Sequence, residues 1–156
     1  MEKIVVGIDG SETAQQALEW AVAEARLRGA GLVVVHTWQQ PTAALMAPYA
    51  PVLEDPGAIE EAARRTLTDS LAAVDVTGLV SEPEPWLVQG SAAPTLLGVA
   101  RNGSLLVVGS RGRGGFTGLV LGSVSRQVAH EATVPVVIIP PTVKPTDVTS
   151  TSQPDG

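Results

Sequence analysis

Four short runs of consecutive apolar residues, each bounded by turn residues, constrain the fold of this chain more than any other feature. They are Lys3–Asp9 (KIVVGID), Leu32–Thr37 (LVVVHT), Ser104–Gly109 (SLLVVG) and Val134–Ile139 (VPVVII). A strand that is apolar at successive positions buries both of its faces, which is the pattern of a parallel sheet covered by helices on each side. Helical stretches fall between these runs. After Ser11, a good N-cap, Ala14, Ala17, Leu18, Ala21, Val22 and Ala25 recur at helical spacing until Gly29 and Gly31 stop the pattern. Ile59, Ala63, Leu67, Leu71 and Val74 mark a second helix. Ser91 opens a third helix ending near Ala100, with Pro94 tolerated in its first turn, where the missing N–H leaves no bond unmade. A fourth runs from about Ser123 to Ala132. A weaker strand, Pro85–Val88, precedes the third helix, and its prolines place it near a sheet edge.

The order βαβαβαβαβ predicts an α/β fold: an open five-stranded parallel sheet with helices on both faces and right-handed crossovers. Ligands of such sheets bind beyond the carboxyl ends of the strands, where the strand order reverses. The ends of the first and fourth strands, at Asp9 and Gly109, are the places to look. Trp38–Pro56 carries four prolines and little periodicity, and reads as a long surface loop of the kind that often covers a site. After Pro140 the chain turns to Pro, Thr, Ser, Asp and Gly, so residues 141–156 are expected to be a disordered tail. With 156 residues, 44% of them hydrophobic, and no internal repeat, the expectation is one domain over residues 1–140.

Composition narrows the function classes. There is no cysteine, so disulfides, thiolate metal sites and cysteine nucleophiles are excluded. The formal net charge of −6 gives no general attraction to nucleic acid or to an anionic membrane. No apolar run approaches the roughly 20 residues of a membrane span. Met1-Glu2-Lys3 leads straight into the first strand without the features of a signal peptide, so a cytoplasmic location is expected. His36 and His130 are the only histidines and neither has a companion at metal-ligand spacing, so structural roles are expected for both. Trp20, Trp38 and Trp86 are isolated and read as core or loop packing. The pairs Arg26/Arg28 and Arg64/Arg65 lie in helical patterns and read as solvated faces.

The segment from Gly109 to Ser125 reads GSRGRGGFTGLVLGSVS, six glycines within fourteen positions between a buried strand and a helix. Glycine permits positive φ and lets a backbone approach a ligand closely. The helix that follows presents unpaired N–H groups and the positive end of its dipole, and Ser123 and Ser125 add hydroxyls. An anion, above all a phosphate, is the natural guest. Known phosphate loops do not fit: there is no G-x-x-x-x-G-K-[ST], and no G-x-G-x-x-G follows the first strand. A hydrolase elbow, G-x-S-x-G, is also absent. Arg111 and Arg113 could clamp a phosphate or be solvated loop residues, and both readings stand at this point.

Gly109, two residues, Gly112, nine residues, Gly122-Ser123 resembles the nucleotide-binding motif of the universal stress proteins without a gap. The likeness extends to Ile4–Ser11 (IVVGIDGS), LVVVH, Val88–Gly90 and the closing PVVII, covering about residues 2–140. The resemblance implies strand order 3-2-1-4-5 and ATP held across the ends of the first and fourth strands. It implies Gly7, Asp9 and Thr37 around the adenosine, and Gly109 and Gly112 near ribose and phosphates. Gly122, Ser123, Val124 and Ser125 would cradle the phosphates. Asp9 could alternatively be a turn residue. The resemblance further implies a homodimer through Val134–Ile139, whose Pro135 fits an edge position. Mg²⁺ held mostly by phosphates is compatible, since this ion needs few protein ligands. The resemblance implies a stress-response sensor or regulator, and with no general base, lysine or triad beside the loop any ATP hydrolysis is expected to be slow. A nucleotide-independent dimeric scaffold of the same fold is the alternative. An ATP-consuming transferase would show H-x-G-H or S-G-G-x-D-S-type signatures, and neither is present.

Overall fold

The computed structural model describes residues 1–40, 55–113 and 121–142. Five strands alternate with four helices: β1 (Lys3–Ile8), α1 (Glu12–Arg28), β2 (Gly31–Trp38), α2 (Pro56–Ala72), β3 (Glu84–Gln89), α3 (Ala92–Ala100), β4 (Leu105–Gly109), α4 (Ser123–Glu131) and β5 (Val136–Ile139). All neighbouring strands pair in parallel, in the order β3-β2-β1-β4-β5. The expected architecture and strand order are both present. Strand order reverses between β1 and β4, whose ends therefore flank a crevice.

Successive strand residues point to opposite faces, so each apolar run feeds two cores. Ile4, Val6, Ile8, Leu32, Val34, Leu105 and Val107 meet Ala17, Leu18, Ala21 and Val22 of α1 and Leu67 of α2. Val5, Val33, Val35, Leu106 and Val108 meet Ala93, Leu96 and Ala100 of α3 and Val128 of α4. Small alanines on the buried stripe of α1 let that helix lie close to the sheet.

Boundaries follow local chemistry. Ser11 caps α1 by accepting from Ala14 N–H at 3.3 Å, and Gly29, at φ 61°, closes it in the left-handed conformation. Helix α2 begins at Pro56, three residues before the hydrophobic pattern, because the Asp55 carboxylate accepts from Gly57 N–H at 3.1 Å and proline suits the first turn. Ser91 holds the N-cap position of α3 without a side-chain cap bond; its hydroxyl instead accepts from Gln39 at 2.7 Å. Strand β5 starts at Val136 rather than Val134. Pro135 has no N–H to donate, though its carbonyl accepts from Leu106 N–H at 3.0 Å. The Asp75 carboxyl is held below its ordinary range by the N–H and hydroxyl of Thr77, and to a lesser degree by Arg26. Together with the Arg26 bond to Thr77 O, at 2.6 Å, this ties the end of α1 to the link before β3.

The predicted cover over Trp38–Pro56 falls largely outside the described residues, as does the tail beyond Thr142. No described helix is long and apolar enough to cross a membrane. Trp20 packs on the α1–α2 core as expected. Trp86 does not: it stands 43% exposed on edge strand β3, where no partner strand lies outside it.

The Gly29 cap separates backbone strain from packing, because a Cβ there would meet nothing within 4 Å. Gly29→Ala is expected to cost about 1 kcal/mol through its positive φ alone, measured by denaturant unfolding. An unchanged midpoint would show that the left-handed cap contributes nothing.

Candidate functional site

Beyond the carboxyl ends of β1 and β4, on the α3–α4 face, lies a cavity of about 350 Å³, within the roughly 300–1,000 Å³ typical of small-ligand sites. All nine residues singled out from the sequence line it: Gly7, Asp9, Thr37, Gly109, Gly112, Gly122, Ser123, Val124 and Ser125. Its inner part is apolar, formed by Val35, Leu96, Val108 and Ala92. The sequence places Val35 and Val108 in buried strands and gives Leu96 and Ala92 no role beyond lying in a helix. Strand parity could have found them, because Val35 and Thr37 share one face of β2, and Val108 faces the same side from β4.

The outer part is polar and fastened by a set of hydrogen bonds. Thr13 donates its hydroxyl to Arg111 O at 2.6 Å. Ser110 donates its N–H to Ile139 O at 2.8 Å, while its carbonyl accepts from Gly122 N–H at 2.7 Å. The Ser125 hydroxyl lies against two carbonyls, Ser110 O at 2.9 Å and Gly122 O at 3.1 Å. Ser125 is almost fully buried, so its hydroxyl serves the loop rather than standing open as a ligand donor. Ser123 is exposed. Gly122 is the N-cap of α4 and supplies no side chain, so the first N–H groups of that helix have no side-chain acceptor.

Asp9 makes a turn bond and also lines the cavity. One carboxylate oxygen accepts from Ser11 N–H at 2.9 Å, a turn bond, and the other accepts from Arg113 N–H at 3.0 Å while lining the cavity. The two loop arginines separate. Arg111 lines the cavity. The Arg113 guanidinium lies over Gly10, 3.1 Å from where a Cβ of Gly10 would stand, beside Thr66 of α2. Arg126, which the sequence reading did not single out, also lines the cavity. His36 is buried, its Nδ1 2.8 Å from Ile8 O, as expected of a structural histidine.

The motif glycines have different reasons to be glycine. A Cβ on Gly109 would sit 2.8 Å from Thr13 C and 2.9 Å from Ala14 N, backbone atoms of the first turn of α1. One on Gly7 would meet the Leu96 side chain at 2.7 Å, and one on Gly112 would meet the Asp9 carboxylate at 2.7 Å. A Cβ on Gly122 would find only ordinary contacts, from 3.5 Å outward, and its φ of −71° suits any residue. Backbone atoms bar a Cβ at Gly109, movable side-chain ends crowd one at Gly7 and Gly112, and no described atom crowds one at Gly122.

A family model for the universal stress protein family matches residues 1–140. A universal stress protein of Mycolicibacterium smegmatis is 39% identical over 145 residues, which is 88% of this chain and 45% of that protein. The chain thus spans less than half the length of this relative. Among solved structures, a universal stress protein from Archaeoglobus fulgidus in complex with dAMP is 27% identical with a TM-score of 0.62, covering 89% of this chain and 98% of that one. Another universal stress protein, in complex with cAMP, is 25% identical with a TM-score of 0.57, covering 88% and 95%.

Two substitutions test the division among the glycines. Gly109→Ala is expected to lose about 1–3 kcal/mol of stability, since backbone atoms cannot move aside cheaply. Gly122→Ser is expected to stay within about 0.5 kcal/mol of the parent, because serine is a good N-cap. Equal losses in urea unfolding would refute the distinction.

Proposed function

Since the chain belongs to the universal stress protein family, we propose that its cavity holds an adenine nucleotide, ATP in the first instance, and that the protein acts as a nucleotide-dependent stress-response sensor or regulator. The observation that carries this reading is Gly122. It is a glycine that no contact among the described residues requires, set at the uncapped start of α4 and lining the same cavity as the rest of the motif. A phosphate placed there would meet the N–H groups of Ser123 and Val124 and the positive end of the α4 dipole. The apolar inner wall of Val35, Leu96 and Val108 suits a base, with Thr37 and Asp9 at its rim. The nucleotides named with the two solved relatives, dAMP and cAMP, support an adenine ligand.

The site is better built for holding than for turnover. Among the described residues, Asp9 is the one carboxylate lining the cavity, and each of its oxygens already accepts a backbone N–H. Hydrolysis would therefore be slow. A Mg²⁺ ion would be held mainly by phosphate oxygens, with the exposed Ser123 hydroxyl as a neutral oxygen nearby.

Self-association through β5 belongs to the same proposal. Pro135 O accepts from Leu106 of β4, and Ile139 O from Ser110 just beyond its end. Alternation along a parallel strand then turns the amides of Val136 and Ile138 outward. That outer row is a template for a second chain.

Calorimetry with ATP is expected to show binding, and ATP at a hundred times its Kd would add about 2.7 kcal/mol of stability. Gly122→Asp is expected to abolish binding while the protein stays folded, because aspartate caps a helix well yet occupies the phosphate position. Retained affinity in that variant would place the site elsewhere, and no stabilisation of the parent by millimolar ATP would favour the nucleotide-independent scaffold. For β5, Ile138→Pro removes an outward N–H without breaking the β4 ladder. Light scattering should then report monomers, and an unchanged dimer would move the interface to another surface.

A further inference from the structure

The α3–α4 face of the sheet holds a second cavity, of about 320 Å³, toward the amino ends of the strands. It shares no lining residue with the first. Its volume lies at the lower end of the roughly 300–1,000 Å³ typical of small-ligand sites.

Strand parity builds its floor and one wall. Val5 of β1 and Val33 of β2 point to this face and belong to its core. Trp86 of β3 is in register with Val35, so its indole stands on the same face, where it lines the cavity and is 43% exposed. The opposite wall is α3 at Gly98. Glycine is the poorest helix former after proline, yet Gly98 lies inside α3, and a Cβ there would meet nothing within 4 Å. No contact among the described residues requires glycine at this position; its missing side chain leaves the cavity open. Gly103 is the contrast, since a Cβ there would stand 3.0 Å from Lys3 O and 3.1 Å from Val5 Cγ2.

The polar part of the lining is cationic. Lys3 Nζ donates to Glu84 Oε1 at 2.7 Å, its only acceptor among the described residues, which leaves two of its three N–H groups to offer. Asn102 adds a side-chain amide. Arg101, beside it in sequence, is exposed and takes part in no ion pair among the described residues.

We infer that this second cavity binds small planar aromatic carboxylates. A flat ring between the indole and a stretch of helix without a side chain gains apolar contact on both sides, with the valines beneath it. A carboxylate at the edge of that ring would meet the free N–H groups of Lys3 and the Asn102 amide, a charge-assisted pairing that a neutral ring lacks. The inference stands whatever the first cavity holds.

The test uses 2-naphthoate as the probe and the indole N–H signals of the protein in ¹H–¹⁵N NMR as the readout. The chain has three tryptophans, and the signal missing from Trp86→Phe identifies Trp86. That signal should shift on titration with 2-naphthoate while those of Trp20 and Trp38 stay in place. The non-planar cyclohexanecarboxylate should bind at least about tenfold more weakly. Gly98→Leu should weaken 2-naphthoate by at least about tenfold by filling the cavity. It should also raise the melting temperature by about 2–4 °C, since leucine is the better helix former, so the loss cannot come from a damaged fold. Lys3→Met should weaken 2-naphthoate several-fold and leave the neutral 2-naphthalenemethanol unchanged. Saturating ATP should not displace the probe. A Trp86 signal unmoved by millimolar 2-naphthoate, binding that survives Gly98→Leu, equal affinity for the acid and the alcohol, or displacement by ATP would each overturn the inference.

Discussion

The backbone of Ser110 is the joint on which the top of this molecule depends. Its N–H donates to Ile139 at the end of edge strand β5, and its carbonyl accepts from Gly122 N–H and lies against the Ser125 hydroxyl at the start of α4. One residue thus fixes where β4 ends, holds β5 against it, and sets the angle at which α4 leaves the sheet. Buried backbone groups must find partners, so these bonds cannot be given up cheaply. The Asp9 carboxylate plays the matching part at β1, joining the turn into α1 to the glycine loop through Ser11 and Arg113. Both fasteners lie where strand order reverses, and the cavity is the space left between them.

The glycines belong to the same economy. Helix α1 packs its first turn so closely on β4 that Gly109 has no room for a Cβ, and Thr13 uses that closeness to bond Arg111 O. Gly112 lies just as close to the Asp9 carboxylate. In this spacing Gly109 is set by packing against the backbone of α1, which shapes the site from behind. Gly122 differs, because among the described residues a Cβ there would meet only ordinary contacts. A recurrent motif can therefore contain glycines kept for two physical reasons, and only the structure separates them.

The fold was legible because its signal is coarse. Runs such as IVVGI and LLVVG permit little besides buried parallel strands, and serine and glycine caps mark α1 at both ends. Asp55-Pro56 carried the true start of α2, but the hydrophobic period begins later and overrode it. The site was legible as a backbone path, since all nine singled-out residues line the cavity. Side-chain direction was not. Arg111 and Arg113 are two residues apart in a glycine-rich loop, where no periodicity says which enters the cavity and which lies over Gly10. Ser125 reads as a donor by its type, yet burial turns its hydroxyl to Ser110. Nothing in the sequence marks Arg126, since a lone arginine on a helix is ordinarily a solvated one.

Strand parity ties the site to the core more tightly than any single contact. Gly7, Val35, Thr37 and Val108 reach the cavity because they occupy the α3–α4 face of their strands, next to the buried Val5, Val33 and Leu106. Their neighbours Val6, Val34, His36 and Val107 are turned to the α1–α2 face, where His36 bonds Ile8 O. A slip of one residue in β2 would replace Val35 and Thr37 at the cavity by Val34 and His36, and would reverse every side chain of that strand in both cores. The register that buries Leu32 and Val34 beneath α1 is therefore the same constraint that presents Thr37 at the rim. Any ligand of this cavity is read by a wall that the hydrophobic core has already set in place.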